Sequence, residues 1–251
     1  MRKVVGALVA VVALFVALAT PAGAEPEYSV NWSGYVVGAN GGEQISAVTG
    51  SWIVPLVREA PPGYSSSWIG IGGYRSQDLI QAGTASSGRL GGNYAWYETL
   101  PANETRITSG CAGDATCAVH QGDRVSTAIT NVGGNTWVIA MTNAGRWSWS
   151  KTLSYVSTLS SAEWVFEAPT VGFAGVPIGL QSTPAYAPHA KFLGGSTFRL
   201  NGADRRLNAS NAKRMIMVDL VSGLYRLATP SLLAGDGHFT VCAYKRTCPN
   251  F

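Results

Sequence analysis

The chain has 251 residues and a formal net charge of +4, and only 13% of its residues are charged. Without Arg2 and Lys3 the balance is 16 basic against 14 acidic residues, and no run of like charges stands out. This composition argues against nucleic acid and anionic membrane as partners. No second apolar run is long enough to form a transmembrane helix.

The first segment, "MRKVVGALVAVVALFVALATPAGA", has a basic start, a short apolar stretch and small residues at Ala22 and Ala24. These features are typical of a secretory signal peptide. We therefore expect residues 1–24 to be removed and residues 25–251 to form one domain. The mature protein is expected to be secreted, extracellular and monomeric.

Short apolar or alternating runs then follow one another along the chain, among them "YVVGA", "AVTGSWIVP", "SSWIGIGG", "DLIQAGT", "NYAWYETL", "RVSTAITNV", "SAEWVFEAP" and "HFTVCAY". Turn segments such as "GANGG", "APPG" and "AGDG" separate them. No segment has a sustained helical period. The pattern predicts an all-β fold, either a β-sandwich or a barrel.

The four cysteines form two pairs with equal spacing, Cys111 with Cys117 and Cys242 with Cys248. An even number of cysteines in an exported protein indicates disulfides, and three connectivities are possible. We favour the two local loops. The spacing is not that of a zinc site, and we expect neither a metal nor a cofactor.

Three of the predicted strands carry polar side chains on one face. Because side chains alternate along a strand, the sets that share a face are Leu79, Gln81 and Gly83; Tyr94, Trp96 and Glu98; and Glu163, Val165 and Glu167. In the third strand, Trp164 and Phe166 point the other way. A sheet face lined by Gln, Glu, Trp and Tyr is suited to binding an extended polymer.

Six motifs, "NWSGYVV", "VTGSWIVP", "SSWIGIGG", "LIQAGT", "YAWYETLP" and "SSAEWVFEAP", occur in the order and spacing found in the glutamic peptidases, or eqolisins. The chain resembles this family from Asn31 to Thr170. The resemblance implies a jelly-roll or concanavalin-like β-sandwich of two packed antiparallel sheets. It also implies an endopeptidase that acts at acid pH on an extended polypeptide.

The resemblance places the catalytic dyad of the family on Gln81 and Glu167. A carboxylate can take a proton from water and return it to the leaving amine, so Glu167 is the candidate general base and then acid. A neutral amide can donate a hydrogen bond to the oxyanion, which is the role expected of Gln81. Glu163 is expected to support the structure rather than to act in catalysis.

The same motifs assign substrate contacts to Trp68, Gly72, Tyr94, Trp96 and Glu98. Two of these positions depart from the fungal members, which read "GIDG" and "YDAWYEW", so that Gly72 and Tyr94 each replace an acid. With less like-charge repulsion, we expect one ionisation near or modestly above the free glutamate value and activity that peaks in the acidic range.

Three other functions are compatible with these residues. Aromatic rows on a sheet also stack on sugars, so a carbohydrate-binding sandwich is one alternative. A catalytically silent member of the same family is another. The third is a glycosidase that uses Glu98 and Glu167 as paired carboxylates.

Overall fold

The computed structural model describes residues 25–57, 63–87, 92–173, 176–181, 189–219 and 221–250. The expected signal peptide, residues 1–24, lies outside this part of the chain. None of the described residues lies in a helix, so none forms a helix that would cross a membrane. The all-β prediction is confirmed.

The strands in chain order are β1 (Glu27–Ser29), β2 (Trp32–Gly38), β3 (Ile45–Ile53), β4 (Tyr64–Gly72), β5 (Leu79–Ser87), β6 (Gly92–Thr99), β7 (Thr105–Ile107), β8 (Arg124–Gly133), β9 (Thr136–Asn143), β10 (Trp147–Ser154), β11 (Ser161–Glu167), β12 (Thr170–Phe173), β13 (Val176–Gln181), β14 (Ala190–Phe192), β15 (Thr197–Leu200), β16 (Ala203–Arg206), β17 (Lys213–Val218), β18 (Arg226–Pro230) and β19 (Phe239–Ala243).

Most of these strands form two sheets, while β12 and β13 pair separately as a two-stranded ribbon and β16 pairs with β15. The first has the order β7-β6-β5-β4-β11-β2-β17-β1, in which only the β17–β1 pair is parallel. The second runs β10-β9-β8-β3, continues through β14 and β15 on the other edge of β3, and ends at β19 and β18. Because β17 also pairs with β18, the two sheets are hydrogen-bonded to each other at one edge.

The main core lies between the two sheets and is rich in tryptophan. Trp52 of β3 and Trp164 of β11 are fully buried. The indole of Trp52 donates to Thr84 Oγ1 at 2.8 Å, and the indole of Trp164 donates to the carbonyl of Thr49 at 2.8 Å. Both bonds cross from one sheet to the other. They satisfy polar atoms inside the core and fix how the sheets sit on each other, which confirms the sandwich.

The opposite face of the first sheet carries a second apolar cluster, formed by Trp68, Leu79, Ala85, Trp96 and Val165. Alternation along the strands explains this second cluster, because neighbouring residues such as Ile80 and Trp164 turn into the main core. The expected division of β5, β6 and β11 into two faces is therefore confirmed.

The strand register arranges the polar side chains of this outer face in two rows. One row contains Glu163, Gly70, Gln81 and Glu98 on adjacent strands. The other contains Glu167, Ser66, Ala85 and Tyr94. Residues that lie far apart in sequence are thus brought to one surface.

Both disulfides close local loops. Cys111 is bonded to Cys117, and Cys242 is bonded to Cys248. The predicted pairing is confirmed. Each loop spans six residues in sequence, so each bridge constrains the unfolded chain less than a long-range bridge would.

Candidate active site

A cavity of about 370 Å³ opens on the outer face of the first sheet. Its lining includes three carboxylates, Glu98, Glu104 and Glu167, and the amide of Gln81. Its aromatic lining residues are Trp32, Tyr64, Tyr94 and Trp96. No Lys, Arg or His is found among the described residues that line it.

Glu167 is held at this cavity by two neutral donors. It is the last residue of β11, and Pro169, which cannot donate to a sheet, follows shortly after. The indole of Trp68 donates to Oε2 at 2.7 Å, and the side-chain amide of Asn31 donates to Oε1 at 3.0 Å. Both carboxylate oxygens therefore have a fixed position.

Burial raises the pKa of Glu167 to about 7, the hydrogen bond from Trp68 opposes this rise, and the charge of Glu98 adds to it. The sequence predicts a value near or modestly above that of free glutamate, because two acids of the fungal pattern are missing. The structure corrects this expectation. Desolvation disfavours the charged form, and here it outweighs the loss of like-charge repulsion.

Gln81 lies in the centre of the cavity wall on β5 and is 5% exposed. Its Nε2 donates to Glu98 Oε2 at 2.5 Å, whereas its buried Oε1 has no partner among the described residues. An ionised carboxylate only accepts hydrogen bonds, so Glu98 selects the orientation in which the amide nitrogen faces it. One N–H of Gln81 is then free to donate elsewhere.

The pKa of Glu98 is subject to opposing effects. Burial raises its pKa, and the hydrogen bond from Gln81 opposes this rise. The nearby charge of Glu104 raises it further. Glu98 thus combines an orienting contact to Gln81 with an electrostatic influence on Glu167.

The two tryptophans that we assigned to substrate contact occupy different places. Trp96 lines the cavity, and its buried Nε1 has no partner among the described residues. Trp68 is completely buried beneath the cavity, where it packs edge-on against Trp32 with ring centroids 5.0 Å apart. Trp68 therefore contacts Glu167 and does not line the cavity.

The other two assigned positions also differ. Tyr94 lines the cavity. Gly72 does not, because it ends β4 with φ of +87°, and a Cβ there would lie 2.5 Å from the carbonyl oxygen of Asp78. The structure does not bring Gly72 to the site, and a side chain at this position would point toward the Asp78 carboxylate.

Glu163 is fully buried and is not part of the cavity lining. Burial raises its pKa well above the ordinary value, which the nearby hydroxyl of Ser161 and N–H of Tyr74 oppose only in part. Neither of its oxygens makes a hydrogen bond of normal geometry with a described residue. This placement is consistent with the supporting role expected from the sequence.

Asn31 and Glu104 are among the lining residues that sequence reasoning missed, which also include Tyr64, Ser66 and Ala85. Asn31 precedes β2, and its contact to Glu167 joins residues 136 positions apart. Only its place at the start of the "NWSGYVV" motif pointed to it. Glu104 lies in the loop between β6 and β7, where no strand alternation applies and no motif signals it.

A family model described as the peptidase A4 family matches residues 30–241. A search of curated protein sequences gives no significant match. Among solved structures, the chain is similar to scytalido-glutamic peptidase with a transition-state analogue inhibitor, at 17% identity and a TM-score of 0.69, covering 86% of this chain and 99% of that one.

Two further structures are similar. One is SCP-B, a member of the eqolisin family in complex with the tripeptide Ala-Ile-His, at 16% identity, a TM-score of 0.65 and coverage of 86% and 98% of the two chains. The other is aspergilloglutamic peptidase from Aspergillus niger, at 17% identity, a TM-score of 0.51 and coverage of 72% and 99%. At these identities the likeness establishes the β-sandwich fold.

Proposed function

The chain belongs to the peptidase A4 family and is a peptide hydrolase, and we propose that Glu167 and Gln81 are its catalytic dyad. The observation that carries the proposal is their presence in one cavity, where separate partners hold each of them. The geometry is suited to a carboxylate that handles a proton and an amide that stabilises negative charge.

In the proposed reaction, ionised Glu167 takes a proton from a water molecule as the water oxygen attacks the scissile carbonyl carbon. The carbonyl π bond opens, and the oxygen becomes an oxyanion. The free N–H of Gln81 donates to this oxyanion, an interaction worth about 3 kcal/mol of the barrier. The electron pair of the oxyanion then re-forms the carbonyl as the C–N bond breaks, and protonated Glu167 gives its proton to the leaving amine, so that the products are a carboxylic acid and an amine.

The neighbours of the dyad have positioning roles in this scheme. Asn31 and Trp68 hold both oxygens of Glu167, which reduces the reorganisation needed during proton transfer. Glu98 keeps the nitrogen of the Gln81 amide oriented. The substrate is an extended polypeptide that would lie against the aromatic lining residues Tyr64, Tyr94 and Trp96.

The pH dependence follows from the state of Glu167. A general base must be ionised in the free enzyme, so kcat/KM should rise with pH until the base is fully charged. With a pKa of about 7, this acid limb is expected near neutrality, at a higher pH than the family resemblance implies.

Secretion is part of the same proposal. The N-terminal segment has the features of a signal peptide, and two disulfides are typical of an oxidising compartment. N-terminal sequencing of the exported protein would reveal Glu25 as the first residue.

The activity is tested by incubating purified protein of residues 25–251 with denatured casein and with soluble polysaccharides from pH 3 to 8. We expect cleavage of casein that resists pepstatin-type, serine-directed and metal-chelating inhibitors. Cleavage of a polysaccharide instead would support the two-carboxylate glycosidase, and binding of a polysaccharide without any hydrolysis would support the sugar-binding alternative.

A further inference from the structure

One end of the cavity carries a group of side chains that the proposed reaction does not use. Tyr94 and Glu104 line this end, and the Tyr94 hydroxyl lies close enough to the Glu104 carboxylate to oppose the rise of its pKa. The guanidinium of Arg106 lies 3.7 Å above the ring of Tyr94. Glu104 thus places a carboxylate beside Tyr94, which stands where the fungal members have an acid.

The space between this group and Glu167 has a floor of small residues. Glu167, Ser66, Ala85 and Tyr94 follow one another across four strands. Neighbouring strands are about 4.8 Å apart, so roughly 14 Å of sheet separates the backbones at the two ends of this row. Such a space is large enough for a long substrate side chain that lies beside the dyad.

The charges of the cavity favour a cation. Glu98, Glu104 and Glu167 all line it, and none of the described lining residues is basic. Arg106 neutralises Glu104 only loosely, because its Nε is 3.9 Å from Oε1 and its side chain is 60% exposed. Glu104 is exposed, with 35% of its side chain accessible to solvent, so a substrate cation can reach its carboxylate directly.

The walls suit the aliphatic stem of such a group. Tyr64, Tyr94 and Trp96 present aromatic surface to the cavity, and aromatic faces attract both methylene groups and cations. The Nε1 of Trp96 and the Oε1 of Gln81 are buried and lack partners among the described residues.

We propose that Glu104 and Tyr94 form a specificity subsite for a lysine or arginine side chain of the peptide substrate, next to the scissile bond. The proposal rests on the proposed peptidase function. Glu104 supplies the charge, Tyr94 lies beside the carboxylate, and Ser66 and Ala85 leave room for the methylene stem.

The test uses fluorogenic peptides that carry either lysine or norleucine at each of four positions around the cleavage site. Norleucine keeps the aliphatic stem and removes the charge. At one position, we expect kcat/KM of the wild-type protein to be about tenfold higher for lysine, which is the effect of one charge-assisted contact. In the Glu104→Gln variant this ratio should fall to about one, and in Glu104→Asp it should be partly retained.

A matched control is Asp204→Asn, which removes a negative charge from an exposed hairpin outside the cavity, where Asp204 pairs with Arg199. This variant should keep the lysine preference. Equal rates for lysine and norleucine at all four positions, or an unchanged ratio in Glu104→Gln, would overturn the subsite while leaving the peptidase intact.

A binding measurement separates the two proposals. The peptides are titrated into Glu167→Gln and into Glu167→Gln/Glu104→Gln, and tryptophan fluorescence is followed. Tighter binding of the lysine peptide by the single variant, lost in the double variant, supports the subsite even if the wild-type protein cleaves nothing. Equal binding of both peptides by the single variant contradicts it.

Discussion

The hydrogen bond from Trp68 to Glu167 gives the most specific prediction about the candidate base. Trp68→Phe removes one N–H donor, at 2.7 Å from Oε2, and keeps an aromatic ring in the buried position. A hydrogen bond to a charged group contributes about 1.5 to 3 kcal/mol. Since this bond favours the ionised form, its loss should raise the pKa of Glu167 by about 1 to 2 units.

The starting pKa is about 7, so the acid limb of kcat/KM should move to about pH 8 to 9. At pH 6 the variant should be about 10 to 100 times slower than the wild-type protein, and the difference should shrink as the pH rises. The assay is a kcat/KM profile from pH 4 to 10 with a fluorogenic peptide, with near-UV circular dichroism to check folding at each end.

Trp96→Phe is the control for this experiment, because the Nε1 of Trp96 has no hydrogen bond to lose among the described residues. Its acid limb should stay where the wild-type limb lies. An unmoved limb in Trp68→Phe, or an equal shift in both variants, would refute the assignment of Glu167 as the titrating base held by Trp68.

Four other substitutions, at three positions, test further parts of the structure. The first is Glu163→Gln. The unfolded chain loses the Glu163 proton above about pH 4.3, whereas the folded protein keeps it, because burial raises the pKa of Glu163. The free energy of unfolding of the wild-type protein should therefore fall, relative to that of Glu163→Gln, by about 1.4 kcal/mol per pH unit. Urea unfolding from pH 4 to 7 measures this, and a pH-independent difference would contradict it. Gly72→Ala and Gly72→Asp should both lower the free energy of unfolding by at least 1 to 3 kcal/mol, roughly the cost of a strained backbone. The reason is that φ is +87° and the added Cβ meets the Asp78 carbonyl. Full stability of either variant in urea would contradict the strain. Glu98→Gln should be milder than loss of the dyad Glu and should move the acid limb to lower pH, because it removes a like charge that raises the pKa of Glu167. A limb that moves to higher pH in the kcat/KM profile would contradict it.

Strand alternation accounts for most of what could be predicted about the fold. The side chains of β5, β6 and β11 divide between two faces as their sequences indicate, because a strand period of two leaves little freedom once one face is buried. The pairing of the strands could not be read from these segments. The row that joins Glu167 to Tyr94 depends on register across four strands, which is a long-range property.

The candidate site was predictable where a motif carried it. Gln81, Trp96 and Glu98 lie on strands that alternate regularly, and they reach the cavity as expected. The position of Gly72 could not be inferred, because a positive φ at the end of β4 turns it away from the regular face. Glu104 comes from a loop, where neither alternation nor a motif gives a direction.

The electrostatics of the site could not be predicted from sequence at all. The sequence predicts a pKa of Glu167 near or modestly above that of free glutamate, whereas the value of about 7 is set first by burial. Burial of one carboxylate is a consequence of how several strands pack around it. A sequence shows which charged groups exist, but only the fold shows which of them are desolvated.

The measurement that tests the central claim most directly is the peptidase activity of Glu167→Gln beside Gln81→Ala, each compared with the wild-type protein at its optimum. Glu167→Gln should fold and lose activity by about 10²- to 10⁴-fold, because an amide cannot accept the water proton. Gln81→Ala should lose about 10²- to 10³-fold through the missing oxyanion donor. A Glu167→Gln protein that keeps most of its activity, or a fully active Gln81→Ala protein, would contradict the dyad.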